Sequence, residues 1–240
     1  MKKYINGIEI LHFSELDSTN KTALNAGGEH LSVILADRQS GGRGRLGRSF
    51  FSPDGGLYMS VLLDPERIFC GLPFLTAAAA VAVRDTLASN GIDGLCIKWV
   101  NDILMNGKKV CGILTEARTE NGAVTRVCVG IGINLTEPPG GFPDDIRARA
   151  AAIGFRGDKL SLAAAIAARL GELISLDKNE IRRLYSCELF GLFERAEVTD
   201  YANGQKKILG TVLGVDENCF LRILTDDGEE RHIASGEISF

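Results

Sequence analysis

The side chains able to do chemistry gather in four short segments and one cluster. The first segment is Gly42-Arg43-Gly44-Arg45-Leu46-Gly47-Arg48, a loop with three arginines and no acid of its own. Its alternating glycines let the backbone reach positive φ and bring N–H groups close to an anion. Each guanidinium offers a planar fork that fits a phosphate or a carboxylate. The loop lacks the Gly-Lys-Ser/Thr ending of a P-loop. It is no dinucleotide fingerprint either, because Arg48-Ser49-Phe50-Phe51-Ser52-Pro53 is not a helix start. The second segment, Lys98-Trp99-Val100-Asn101-Asp102, reads as a strand end around the only tryptophan. Lys98 and Asn101 suit phosphate and ribose, and Asp102 suits accepting a proton. In the third, Lys109 opens the apolar run Val110-Cys111-Gly112-Ile113-Leu114-Thr115-Glu116. The fourth is Gly130-Ile131-Gly132-Ile133-Asn134, where alternating glycines imply close approach by a ligand or another backbone. The cluster is Asp17-Ser18-Thr19-Asn20, a helix N-cap whose free N–H groups can also hold a polar ligand.

Each feature has a plainer reading. The arginine loop fits a flexible basic loop or an RGG-like nucleic-acid contact. The Lys98–Asp102 stretch fits a packed Trp99 and an Asn-Asp turn, with Asp102 paired to Lys98. Lys108 and Lys109 fit a charged hairpin turn, and Gly130 and Gly132 a packing pair.

The elements that must position these groups follow from periodicity and turn signals. Residues 32–36, 57–63, 95–100, 110–116 and 125–135 read as strands, with Asn106-Gly107 and Asn121-Gly122 as hairpin turns. Residues 73–87 read as a buried helix with Pro73 in its first turn. Pro138-Pro139-Gly140-Gly141 breaks the pattern, and helices are expected over 161–175, capped by Ser161, and 179–189. From 194 the texture turns to short β runs and turns, enough for a compact barrel-like domain. Its segment 197–240 holds four basic and nine acidic residues, net −5.

The whole chain of 240 residues is 45% apolar and 24% charged, with net charge −4. This is the composition of a globular protein of one large domain, or one large and one small, and it argues against a general polyanion binder. The six cysteines form no CxxC pair and read as reduced residues, most of them in the core. The three histidines are isolated from other ligands, so no metal site is expected. The start shows no signal peptide, and the richest apolar run, 76–83, is too short to span a bilayer. A cytoplasmic protein with no membrane partner is expected.

In this order the motifs resemble those of the biotin protein ligases, over residues 17–135. The loop preceded by Gln39 is the most specific of them, and the β-rich end resembles the family's SH3-like domain. The resemblance implies an α+β fold: a mixed, largely antiparallel sheet with packed helices over 1–193, as in class II synthetases and biotin/lipoate ligases. A small SH3-like β-barrel over 194–240 follows. It implies an ATP-dependent ligase that makes biotinyl-5′-AMP and transfers biotin to a lysine of a biotin carboxyl carrier protein, a subunit of acetyl-CoA carboxylase or of another biotin-dependent carboxylase. ATP arrives with magnesium, and no bound prosthetic group is implied. Biotin contacts then fall on Ser18, Thr19, Asn20, Gln39, Arg43, Gly44, Arg45 and Lys109, with Gly112, Leu114, Gly130 and Gly132 lining the floor. Arg45, Arg48, Phe50, Lys98, Asn101 and Asn134 serve ATP, Phe50 by stacking on adenine. Lys109 and Arg43 act at the reacting centre, and Asp102 faces the acceptor lysine.

Two positions depart from the family: Val100 stands where proline is usual, and Phe50 where tryptophan often stands. With so few residues before Ser18, the form expected is the one without a DNA-binding helix-turn-helix. Homodimerisation by edge strands occurs in the family. Three rivals stand beside this reading. One is a lipoate or octanoate ligase or transferase of the same fold. Another is a non-catalytic basic-loop nucleic-acid-binding module, against which the −5 charge counts. The third is a relative that binds biotin without turnover.

Overall fold

The computed structural model describes residues 1–240. It opens on a hairpin of β1 (Lys2–Ile5) and β2 (Ile8–Leu16), turned at Asn6 and Gly7, both at positive φ. Asn-Gly is a strong signal for such a turn, yet this hairpin is absent from the strands expected above. β2 runs parallel to β3 (Val33–Gln39), and α1 (Thr19–Ala26) makes the crossover between them. The remaining pairs are antiparallel, through β4 (Gly56–Leu63), β5 (Leu95–Lys98), β6 (Asp102–Met105), β7 (Lys108–Glu120) and β8 (Ala123–Asn134). The sheet order is β1-β2-β3-β4-β8-β7-β6-β5, so the expected mixed, largely antiparallel sheet is present with one parallel pair. β4 lies at its centre and is buried at every position.

The strand expected over 95–100 is shorter. It stops at Lys98, and the chain turns through Trp99, Val100 and Asn101 so that Asp102 pairs across from Lys98. The Lys98–Asp102 motif is therefore a hairpin turn between two strands. The Trp99–Val100 peptide bond is cis.

Helices cover the sheet. Pro73 lies in a 3-10 turn, Leu72–Phe74, ahead of α2 (Leu75–Ser89), so it precedes the helix that it was expected to start. By length and composition the stretch Leu72–Ser89 is apolar enough to cross a bilayer, unlike the shorter run considered above. Here its alanines and valines are core residues, packed with α4 (Lys159–Ile174). A short α3 (Asp144–Arg147) lies before α4, and α5 (Lys178–Cys187) follows it. The N-cap of α4 is Asp158, not Ser161. Its carboxylate accepts from the Ser161 N–H at 2.8 Å and the Ser161 hydroxyl at 2.7 Å. A charged acceptor three residues upstream satisfies a free N–H of the first turn.

The last strands are β9 (Arg195–Asp200), β10 (Lys206–Val215), β11 (Leu221–Thr225), β12 (Glu230–Ile233) and β13 (Gly236–Ser239). They form one antiparallel sheet, ordered β12-β11-β10-β9-β13. The barrel is thus not closed: no ladder joins β12 to β13. One cluster of 53 buried residues runs through both sheets, from Ile10 and Val33 to Ile233 and Ile238. Trp99 bridges them, its Nε1–H donating to the Cys219 carbonyl at 3.1 Å. All six cysteines are unpaired, and only Cys187, at the end of α5, is exposed.

Candidate active site

α1 is a crossover between parallel strands, so its N-terminus and the C-terminal end of β3 open on the same side of the sheet. Ser18, Thr19 and Asn20 arrive there from the helix, and Gln39 from the strand end. Ser18 is the N-cap, its Oγ facing the Lys21 N–H at 3.5 Å. The cleft at this edge encloses about 960 Å³ of space when the solvent at its open mouth is counted. Every residue nominated from the sequence lines it except Asn134.

The inner end is a hydrogen-bonding network of neutral side chains that reaches the Glu116 carboxylate. Gln39 Oε1 accepts from the Thr19 N–H at 2.8 Å, and Gln39 Nε2 donates to Ser52 Oγ at 3.0 Å. The Ser60 hydroxyl, wholly buried on β4, donates to Asn20 Oδ1 at 2.6 Å and lies 2.8 Å from Thr19 Oγ1. Asn20 Nδ2 donates to the Leu114 carbonyl at 3.1 Å and to Glu116 Oε2 at 2.7 Å.

The glycines make this network possible. A Cβ on Gly130 would overlap the Asn20 amide. A Cβ on Gly132 would stand 2.5 Å from the Phe50 ring, and one on Gly112 2.9 Å from it. Gly112 and Gly132 are register partners on β7 and β8, so together they form a flat bed for that ring. Phe50 therefore lies on the floor of the cleft, its ring centre 5.9 Å from Lys109 Nζ.

Five cations line the cleft, and all but Lys98 have an internal partner. Lys109 Nζ meets Asp102 Oδ1 at 2.6 Å, so Asp102 pairs with Lys109 and not with Lys98. Arg43 donates to Glu116 Oε2 at 3.0 Å. Arg48 donates to Glu237 Oε2 at 2.6 Å and to Tyr201 OH at 3.0 Å, and Tyr201 OH donates to the same carboxylate at 2.9 Å. The loop's lack of local acids is thus made good from β7 and β13. Arg45 finds only neutral acceptors: Asn101 Oδ1 at 3.3 Å, the Gly236 carbonyl at 3.3 Å and Ser235 Oγ at 3.2 Å. Burial lowers the pKa of Arg45 from its ordinary value, against the pull of Asp102. Arg48, with Tyr201 and Lys98 assisting, holds the Glu237 carboxyl down at about 2 despite partial burial. Asn101 also donates to the Ile113 carbonyl at 2.8 Å, tying its turn to β7.

Asn134 is the nominated residue that the cleft leaves out. Its Nδ2 donates to the Ala151 carbonyl at 3.0 Å, and its own carbonyl accepts from the Ile153 N–H. The segment so held lies beside Lys109, whose N–H donates to the Arg149 carbonyl at 2.7 Å. Asn134 acts on the site at one remove.

Glu116, Ser60, Tyr201 and Glu237 were not nominated. Glu116 had a legible signal: on a strand it shares a face with Gly112 and Leu114, four and two residues earlier. Tyr201 and Glu237 had none, because only the packing of the second sheet on the first brings them to Arg48.

The biotin/lipoate A/B protein ligase family matches residues 13–134, and the biotin protein ligase C-terminal domain matches residues 192–240. The chain is 32% identical over 240 residues to the bifunctional ligase/repressor BirA of Bacillus subtilis, covering 95% of this chain and 73% of that protein. It is 40% identical over 127 residues to the biotin–[acetyl-CoA-carboxylase] ligase of Paracoccus denitrificans, covering 51% of this chain and 53% of that one. The biotin protein ligase from Aquifex aeolicus, solved in complex with biotin and ATP, superposes with a TM-score of 0.82 at 30% identity, covering 96% of this chain and 97% of that one. With its motifs gathered in one cleft and both of its sheets matched, the chain belongs to the biotin/lipoate A/B protein ligase family, and within it to the biotin protein ligases.

Proposed function

We propose that the cleft activates biotin with ATP as biotinyl-5′-AMP and passes the acyl group to a lysine of a biotin carboxyl carrier protein. The observation that carries this reading is that Arg43, Arg45 and Lys109 line one cleft with the neutral side chains Ser18, Thr19 and Gln39. A ureido ring needs polar donors and acceptors without net charge, and Ser18, Thr19 and Gln39 offer them. Biotin's carboxylate then points at the cations.

In the first step a biotin carboxylate oxygen attacks the α-phosphorus. The bond from that phosphorus to the bridging oxygen breaks, and pyrophosphate leaves. Two anions must meet for this, and fixed cations offset their repulsion and the charge that builds in the transition state. Arg43 and Lys109 serve the carboxylate, and Arg45, Arg48 and Lys98 the phosphates, with Asn101 on the nucleotide. Magnesium accompanies the triphosphate as part of the substrate. No group of three or more acidic, histidine or cysteine side chains stands together as a metal cage.

In the second step the carrier amine attacks the acyl carbon, AMP leaves and an amide remains. A free lysine, with pKa about 10.4, is almost wholly protonated at neutral pH. Asp102 is engaged by Lys109 in the resting protein. Once Lys109 turns to the substrate, Asp102 is released to orient the incoming ammonium and help take its proton. The glycine-rich segment 40–49 orders over the acyl-adenylate and keeps water from it.

Pyrophosphate release with ATP and magnesium tests the reading, run with biotin, with lipoate and with neither. Biotin-dependent release is expected, reduced about 10²–10³-fold in Lys109→Ala or Arg43→Ala, the range for loss of one transition-state-stabilising group. Release with lipoate alone would move the chain to the lipoate branch. No release from folded protein would overturn the reading.

A further inference from the structure

Glu116 is a carboxylate that the proposed chemistry leaves unused, although it bonds to two residues that line the cleft, Asn20 and Arg43. Its Oε2 takes one hydrogen bond from Asn20 Nδ2 at 2.7 Å and one from Arg43 Nη2 at 3.0 Å. Its side chain is only 26% exposed. Asn20 itself is 3% exposed, and its amide hydrogens are both spent within the protein. Its Oδ1 accepts from Ser60, and both Nδ2 hydrogens are committed, to Leu114 and Glu116. The sequence nominated Asn20 as a biotin contact. The structure makes it a strut that runs from the network around Thr19 and Ser60 to Glu116.

Arg43 sits on a loop with few other restraints. Its segment is held by the Phe50 N–H to Gly42 carbonyl bond at 2.8 Å and the Gly44 N–H to Arg48 carbonyl bond at 2.7 Å. Its guanidinium is 45% exposed, and Glu116 is its one hydrogen-bond partner. A long side chain in that position samples many rotamers unless a fixed acceptor selects one. Glu116 is such an acceptor, because it lies on β7, paired to β8 at Cys128, and is itself pinned by Asn20.

We infer that Glu116 is a positioning residue: it fixes Arg43 at the mouth of the ring pocket and yields it to the substrate's carboxylate when biotin enters. The inference rests on the biotin-activating reading above. Arg43 has donors enough to bridge both acids, so the exchange needs only a small shift of the guanidinium. The charge on Glu116 also opposes capture of stray anions by Arg43 while the pocket is empty. The strut links the occupied ring pocket to the arginine, so that ring recognition and carboxylate recognition share one support.

The test compares the full-length protein with Glu116→Gln, Glu116→Asp and Arg43→Ala, and with the double variant Glu116→Gln/Arg43→Ala. Glutamine keeps the shape and an acceptor for Asn20 but loses the charge that holds Arg43. Biotin-dependent pyrophosphate release and equilibrium biotin titration are the readouts, with a thermal melt as the check on folding. For Glu116→Gln a rise in the biotin KM of about three- to tenfold is expected, the range for one partly screened charge-assisted hydrogen bond. The change in kcat is expected to be smaller, and the ATP KM is expected to move less than the biotin KM. Glu116→Asp, which keeps the charge, restores part of the loss. In the Arg43→Ala background the glutamine change adds little to the biotin dissociation constant, because the partner it acts through is gone. An unchanged biotin KM in Glu116→Gln overturns the proposal, as does a full additional loss in the double variant. Wild-type activity with biotin separates these outcomes from failure of the underlying reading, which would show as no biotin-dependent release in any variant.

Discussion

A single methyl group is enough to probe the inner pocket. Gly130 has no side chain because the Asn20 amide occupies that space. Gly130→Ala must push Asn20 away from Ser60 and Leu114, two bonds that fix the wall of the ring pocket. Overpacking of this kind costs about 1–3 kcal/mol. The variant is expected to melt several degrees lower and to bind biotin at least tenfold more weakly, as read by thermal melt and biotin titration. Equal loss of ATP binding would show that the damage had spread beyond the ring pocket. At this scale the motifs led to residues that line the cleft, Gln39, Arg43, Phe50 and Lys109 among them. Asn134 lies outside that lining. A residue type names the bonds that a side chain can make, and only the fold decides which are taken. Asn134 spends its amide on Ala151, and the Phe50 ring finds a bed of glycines.

Among the elements, the turns were easier to read than the helix starts. Asn106-Gly107 and Asn121-Gly122 close β6–β7 and β7–β8 as expected, with all four residues at positive φ. The α4 cap was displaced by three residues because Ser161 and Asp158 are both cap formers and hydrogen-bond each other. The second sheet has a titratable joint of its own. His232 on β12 lies 2.7 Å from Asp216 and 3.2 Å from Glu230, which also pairs with Arg222. The bond to Asp216 raises the His232 pKa above 6.5, with partial desolvation opposing it. A raised folded-state pKa stabilises the fold below the unfolded value, and that contribution is lost as pH rises through the folded one. The gap in melting temperature between the wild type and His232→Gln is therefore expected to be widest near pH 6 and to narrow toward pH 9. His232 is half exposed, so the gap is small. A gap that widens with pH would contradict the assignment.

For the whole molecule the decisive feature is that two sheets share one core and one cleft. The 53-residue cluster gives the second sheet no core of its own. The arginine loop of the first part is bonded to Ser235, Gly236 and Glu237 of the second. Glu237→Gln removes the charge facing Arg48 and is expected to raise the KM for ATP about three- to tenfold, with biotin affinity changed less than twofold; parallel titrations of both substrates check this. Its depressed pKa means that stability from this pair is present above the ordinary carboxylate range and lost only as pH falls toward about 2. Neutral-pH assays therefore see one charge state. The sheet order and the cross-sheet contacts were out of reach of periodicity, since pairing of residues nearly two hundred positions apart leaves no local trace.

That long reach has a consequence for how the protein comes into being. Arg45 and Arg48 are made before β4 to β12 and wait through the synthesis of those strands for the acceptors of β13 that will hold them. Until β13 has emerged and docked beside β9, the nascent chain carries its substrate motifs without the strand that fastens the arginine loop. A ribosome-bound fragment that stops before β13 is therefore a chain with a pocket half built, and competence waits for the arrival of that strand.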